Sequence, residues 1–548
     1  MRTSFFAAVA ALAFCLGSTA AAQPAPPLSD AARRVQAHME FLASDLLEGR
    51  EAGSRGYDIA ADYVAAQFKQ LGLAPAGDAG SYFQRVPMVA YRPVDQGSLV
   101  LKRGGAATPL VFGEDYVVGR NPLAAETKLS APMVFAGYGV VAPEHGRDDY
   151  AGLDVRGKIV VALDGAPKAI QTEERAHYRS GRVKRAEAAR RGAVGFLTVN
   201  TPEGEKLRPF AQGAKRWRSW SMTWQEKGGQ PYVVAPEVLS LGDISVAGAA
   251  KLFAGAPASL EQIYAAAETP TAEVPRFALP AVLETSYRTE TKPVESRNVA
   301  AMLEGSDPKL RSEVVVLSAH LDHVGVANGT EGDRIHNGAL DNAGGVATTL
   351  EVARMAVETK KRPKRSMLFL MVTAEEKGLV GAEYFARNPT VPLSSLVANV
   401  NLDMPILTYD FTDVVAFGAE RSAIGPAVRR AAGRMGVALS GDPMPDEGLF
   451  TRSDHYRFVE VGVPSVFLMT GFGNGGEAKF RRFLKDCYHK ACDDLSQPID
   501  YEAGAKFARI NYEITRELTD ARVRPTWNSG DFFGGRFANP TGTRAAAP

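Results

Sequence analysis

"MLFLMVTAEEKGLVG", residues 367–381, carries an unbroken apolar run from Met367 to Val372 into Thr373 and Ala374, then sets Glu375 and Glu376 side by side. An apolar run of this length reads as a strand buried on both faces, and the pattern that follows Gly378 reads as a helix. The same alternation extends in both directions. Strands are predicted at 313–320, 366–374, 396–402, 413–417 and 463–469, and helices near 344–358, 379–387, 422–435 and 501–519. Alternating strand and helix predict an α/β fold, a mixed sheet flanked by helices.

Upstream the texture differs. Residues 29–109 open with helical patterns, "AARRVQAHMEFLA" and "GYDIAADYVAAQFKQLGL". Residues 110–284 carry short β-rich runs, "APMVFAGYGVV" and "GKIVVAL", and read as a separate, inserted β-rich module. The α/β core is expected over 285–522, followed by an irregular tail over 523–548. The basic run "KKRPKR" at 360–365 reads as a solvated loop between helix and strand.

The chain of 548 residues has 63 Lys and Arg against 62 Asp and Glu, a formal charge of +1. That balance gives no electrostatic reason to expect nucleic acid or an acidic membrane as partner. Residues 1–22 read as a secretory leader: Arg2, an apolar stretch to Leu16, then Ala20-Ala21-Ala22 before Gln23. The apolar stretch is too short for a stable membrane anchor, so a periplasmic or extracellular location is expected. Beyond the leader two cysteines remain, Cys487 and Cys492 in "DCYHKACDD". In an exported chain they suggest a disulfide closing a short loop, with a thiolate metal site as the alternative.

The chemistry concentrates where the predicted strands end. His320 and Asp322 follow "VVVLSA", Asp341 lies in "HNGALDNAGGVA", Glu375 and Glu376 follow the strand quoted above, Asp403 ends "NVNLDM", and His489 comes late. Carboxyl ends of strands in an open α/β sheet are where ligands bind. Taken singly each residue has an ordinary reading: Asp341 could cap a helix, Asp403 could begin a turn, and paired glutamates are usually solvated. Together His320, Asp341, Glu376, Asp403 and His489 form a mixed imidazole and carboxylate set suited to Zn²⁺, larger than one tetrahedral ion with an open position can use. Two ions sharing a carboxylate fit better. Asp322 is placed to accept the second imidazole N–H of His320.

The ordered string "SAHLDHVG", "NGALDNAGG", "TAEEKGLVGAEYF", "NLDM", "RSDHYRF" and "CYHKACDD" resembles the co-catalytic dizinc metallopeptidases typified by secreted bacterial aminopeptidases. "VFAGYGVVAPEHGRDDYAGLDVRGKIVVALDGAP" resembles the protease-associated domain inserted in many of them. The resemblance implies two Zn²⁺ per chain, with His320 and Asp403 on one ion, Glu376 and His489 on the other, and Asp341 between them. It implies Glu375 as general base, Tyr488 near the substrate, and Asp454 and His455 in support. Relatives hold the peptide bond after the bridging aspartate cis and often have a second aspartate there, where this chain has Asn342.

The expected function is that of an exported zinc exopeptidase, an aminopeptidase acting on peptide substrates through a metal-bridging water. A carboxypeptidase or dipeptidase with the same centre is the nearer alternative, and it would need a cationic group to hold a terminal carboxylate. A non-enzymatic binding protein of the same fold is the other. Neither G-x-S-x-G nor H-E-x-x-H occurs, which disfavours a serine hydrolase or a thermolysin-like site.

Overall fold

The computed structural model of the protein describes residues 27–329 and 331–538. The expected leader and the last residues of the tail lie outside the described residues. Core strands form at Val314–His320, Ser366–Val372, Leu396–Leu402, Asp413–Phe417 and Ser465–Thr470. Helices form at Gly344–Glu358, Val380–Arg387, Ile424–Gly433 and Tyr501–Asp520.

Ser366–Val372 pairs in parallel with Val314–His320, which pairs in parallel with Leu396–Leu402, and that strand with Ser465–Thr470. Asp413–Phe417 joins Ser465–Thr470 antiparallel, so the sheet is mixed. The period of two along the quoted strand explains the layering. Met367, Phe369 and Met371 join the core formed with the helices Asp30–Leu42, Arg55–Gln70, Gly344–Glu358 and Tyr501–Asp520. Leu368, Leu370 and Val372 face the opposite layer, with Ala382, Phe385 and Phe458. Each fully buried apolar side chain contributes about 1.5–3 kcal/mol, so the strand that ends beside Glu375 and Glu376 is firmly anchored.

One long strand, Arg276–Leu303, joins two units. Its first part pairs with Glu126–Ala136 and Ser98–Arg103 in an inserted sheet. Its second part pairs with Phe83–Pro93 and Ser366–Val372 in the core sheet. The inserted unit has its own core, which includes Leu99, Phe135, Val161, Leu197, Leu241 and Tyr287.

Three sequence expectations are corrected by this arrangement. The inserted unit starts before residue 110, because Leu99 and Leu101 already belong to its core, and extends past 284 to Tyr287. Alternation of buried positions holds from Leu279 to Thr289, lapses over the part-buried and exposed residues 290–295, and resumes at Ser296, all within one strand. The tail is not wholly irregular: Phe532–Phe537 is a helix whose Asp531 cap accepts from Gly534 N at 2.8 Å. Phe533 of that helix is buried 4.9 Å from the Phe450 ring. Finally, the basic run does not end in solvent, since Arg365 is fully buried and donates to Glu313 Oε2 at 2.6 Å. Among the described residues no helix is long and apolar enough to cross a membrane.

Candidate metal centre

Parallel pairing in register brings the carboxyl ends of Val314–His320, Ser366–Val372 and Leu396–Leu402 together. His320 ends the first strand, Glu375 and Glu376 follow the second, and Asp403 follows the third. Asp341 enters from the loop before Gly344–Glu358, across a cis peptide bond to Asn342. The Asn342 side chain fixes that loop by donating to Leu402 O at 2.9 Å and accepting from Gly345 N at 3.1 Å.

The predicted donors converge in two groups that meet at Asp341. His320 Nε2 lies 3.1 Å from Asp403 Oδ1 and 3.2 Å from Asp341 Oδ1. His489 Nε2 lies 3.0 Å from Glu376 Oε2 and 3.3 Å from Asp341 Oδ2. The second group holds a residue that the sequence reading did not single out. His323 Nδ1 is 2.8 Å from Glu376 Oε1 and 3.9 Å from Asp341 Oδ2. Its signal was present in "HLDH", where a second histidine follows His320 by one short turn of loop.

These donors fit divalent cations. His489 Nε2, His323 Nδ1 and Glu376 Oε1 are buried without a hydrogen bond, although each lies within 3.3 Å of an oppositely natured donor atom. Buried polar atoms left without partners are costly, and a cation between them satisfies all three. Mixed imidazole and carboxylate donors suit zinc.

Behind the donors lies a set of buried supports. Asp322 does not take the role the sequence suggested. His320 Nδ1 is 3.0 Å from the Asp322 backbone carbonyl, and the Asp322 carboxylate instead accepts from the backbone N–H groups of Glu375 at 3.0 Å and Glu376 at 3.3 Å. It therefore holds the paired glutamates in place. The Asp493 carboxylate does the same for Asp341, accepting from Leu340 N at 2.8 Å and Asp341 N at 3.0 Å. Burial pushes both Asp322 and Asp493 up to about 6.

Ser453 donates to Asp403 Oδ2 at 2.6 Å and itself accepts from Asn401 at 2.8 Å. Arg50, 1% exposed, donates to the carbonyls of Leu321, Asn337, Gly338 and Leu42, so that one side chain ties three loops below the site. Tyr488 stacks on His489 with ring centres 3.8 Å apart. Asp454 is buried where the charges of His320 and Asp403 reach it, and neither of its carboxylate oxygens has a hydrogen-bond partner among the described residues. The His455 ring packs against Phe450 and Phe467, and burial lowers it to about 3. Cys487 and Cys492 form a disulfide, Cα atoms 5.1 Å apart, which sets aside the thiolate alternative and closes the loop that carries His489.

The paired glutamates differ in electrostatics. Burial pushes the Glu375 carboxyl well above the usual carboxylate range; Glu376 and Asp403 add to the shift and His320 opposes it. Burial acts on Glu376 too, yet His323 and His489 outweigh it and bring the carboxyl down to about 2. Carboxyls pushed apart in this way are suited to different tasks, one to stay ionised and one to exchange a proton.

Residues 298–515 match the profile of Peptidase family M28. A probable zinc metalloprotease of Pyricularia oryzae is 27% identical over 262 residues, 42% of this chain and 51% of that protein. An aminopeptidase of Pseudomonas aeruginosa is 29% identical over 219 residues, 37% of this chain and 38% of that protein. The chain thus spans about half the length, or less, of these curated relatives. The solved aminopeptidase from Aneurinibacillus sp. strain AM-1 shares the fold with a TM-score of 0.50 at 20% identity, covering 88% of this chain and 93% of that one.

Proposed function

We propose that the chain, whose residues 298–515 match the model of Peptidase family M28, is a zinc-dependent exopeptidase that removes N-terminal residues from peptides. Two Zn²⁺ ions, held by His320 and Asp403 on one side and by Glu376 and His489 on the other with Asp341 between, would supply Lewis acidity at the scissile carbonyl. Glu375 takes the proton of the attacking water and returns it to the leaving amine. Tyr488 lines the approach beside His489.

The observation that carries this reading is the division between the two glutamates. Glu376 is in contact with His323 and His489, and a carboxyl held near 2 stays an anionic ligand. Glu375 is raised instead, chiefly because burial disfavours its charged form, which suits a carboxyl that exchanges a proton. The Asp322 carboxylate aligns both through their backbone N–H groups.

Export to an oxidising compartment is part of the proposal, supported by the leader-like residues 1–22 and by the disulfide. The zinc-loaded chain, assayed on matched peptides, tests the function. A free N-terminus should be required, so that acetylation abolishes turnover, whereas a C-terminally amidated peptide should still be cut at its first bond. Cleavage of acetylated peptides, or full activity with one ion per chain or none, would overturn the reading.

A further inference from the structure

Glu376 and His489 open into a cavity of about 1420 Å³ whose other wall belongs to the inserted unit. Its lining is unlike the rest of the molecule. The whole chain carries a formal charge of +1, yet seven Lys and Arg line this cavity against three acids. Glu51 is bound by Lys377 at 2.7 Å, Glu376 belongs to the metal donors, and burial pushes Asp243 up to about 6. The cations of the lining thus outnumber its acids.

Four of the seven cations come from one stretch, "LRPFAQGAKRWRSWS" over 207–221, which holds no acid. Arg208, Lys215, Arg216 and Arg218 form no ion pair among the described residues. Nearby, Arg92 lies 4.3 Å over the Trp220 ring and pairs with Glu290 at 2.5 Å, so the tryptophan face is kept against the same wall. Surface cations on a solvated face are usually interspersed with acids; a one-sign wall opposite a catalytic centre focuses field lines into the cleft. Arginine forks match carboxylates in particular. A nucleic-acid backbone would call for an open basic face, whereas these groups line a cavity that ends on metal-donor side chains.

We propose that the 207–221 segment recognises a carboxylate of the peptide, so that the enzyme acts on short peptides bearing negative charge on the far side of the scissile bond. This rests on the peptidase reading above. Two sources could supply the carboxylate, an acidic side chain or a free C-terminus, and the test separates them. The zinc-loaded full-length protein is assayed on Leu-Gly-Glu and Leu-Gly-Gln, each as free acid and as amide. A carboxylate from either source should raise kcat/KM on the order of 10-fold over the neutral Leu-Gly-Gln amide. The advantage should shrink between about 0.01 M and 1 M salt, as the screening length falls from about 30 Å to about 3 Å.

Charge reversal, Arg216→Glu with Arg218→Glu, should bring the acid-to-amide ratio of kcat/KM to 1 or below, and neutralisation, Arg216→Gln with Arg218→Gln, should bring it part of the way. Both sites are exposed, and unchanged melting and zinc content would certify the variants. Loss of preference on amidation alone assigns the C-terminal carboxylate, and loss on Glu to Gln alone assigns the side chain. Equal kcat/KM on all four cleaved peptides overturns the inference and leaves the peptidase reading intact. Cleavage of none of them removes both.

Discussion

His323 Nδ1 lies 2.8 Å from Glu376 Oε1, a separation within hydrogen-bonding reach but without hydrogen-bond geometry, and both atoms are buried. On the other carboxylate oxygen sits His489, whose ring meets the His323 ring edge to face at 5.5 Å. Glu376 is thus held between two imidazoles, one from a strand-end loop and one from the disulfide-closed loop.

His323 is therefore expected to contribute to the second metal position, as an added ligand or by fixing Glu376. His323→Ala should weaken the second ion by about 10–100-fold and leave the first bound. Zinc titration and the visible spectrum of the cobalt-substituted protein read this directly. An unaltered spectrum with two ions bound at wild-type affinity would show that His323 only packs.

The two glutamates should fail differently. Glu375→Gln keeps the shape and should leave two ions bound, while kcat falls by at least about 10²–10⁴. Glu376→Gln removes an anionic ligand, so one ion should be lost on dialysis and activity should partly return with added zinc. Metal analysis beside steady-state kinetics decides; the opposite pattern would exchange the roles.

Arg50 satisfies carbonyls in three separate loops from a fully buried position. Arg50→Leu orphans these acceptors, each at about 1–3 kcal/mol. A loss of at least about 3 kcal/mol is expected, together with weaker zinc binding because the loops of Asp322 and Asp341 lose their common tie. Denaturant unfolding measures the first and chelator competition the second. A variant as stable as the parent would show that water replaces the guanidinium.

The junction between the inserted unit and the core should be acid-sensitive. His177 on the inserted helix Thr172–Arg179 has its Nδ1 2.6 Å from the Tyr456 hydroxyl of the core. Burial, with Arg536 adding to it, lowers His177 to about 3, against about 6.5 in an unfolded chain. Between those values the unfolded chain binds the extra proton. The stability from neutral His177 is thus fully present above about pH 6.5 and is lost as pH falls towards 3, by up to about 1.4 kcal/mol per pH unit. Urea midpoints at pH 7.5 and pH 5 should converge for His177→Gln relative to the parent; equal acid loss in both proteins would assign the effect elsewhere.

How much of this was legible beforehand follows from what periodicity encodes. The run Met367 to Val372 fixed a strand buried on both faces, and its neighbours fixed parallel strands whose carboxyl ends had to converge. His320, Glu376 and Asp403 could be grouped on that basis, because strand ends are placed by local pattern and sheet register, whereas Asp341 and His489 lie on loops and joined the set through their residue type and the motif resemblance. Local pattern also predicted the Cys487–Cys492 pair.

Other features depended on contacts between distant segments. Whether His320 meets the Asp322 carboxylate or its carbonyl is a matter of loop direction, and the loop is set by Arg50 and by the backbone of Glu375 and Glu376. His323 became a donor candidate only because its loop turns it towards Glu376. The boundary of the inserted unit was misplaced because a single strand serves both sheets, and which partner each part pairs with is decided by segments distant in sequence. The basic residues of 207–221 form no motif that sequence alone singles out, and only the fold places them across a cavity from the metal donors. Periodicity records which side of an element is apolar, whereas the direction of a loop side chain is decided by whatever packs against it from elsewhere in the chain.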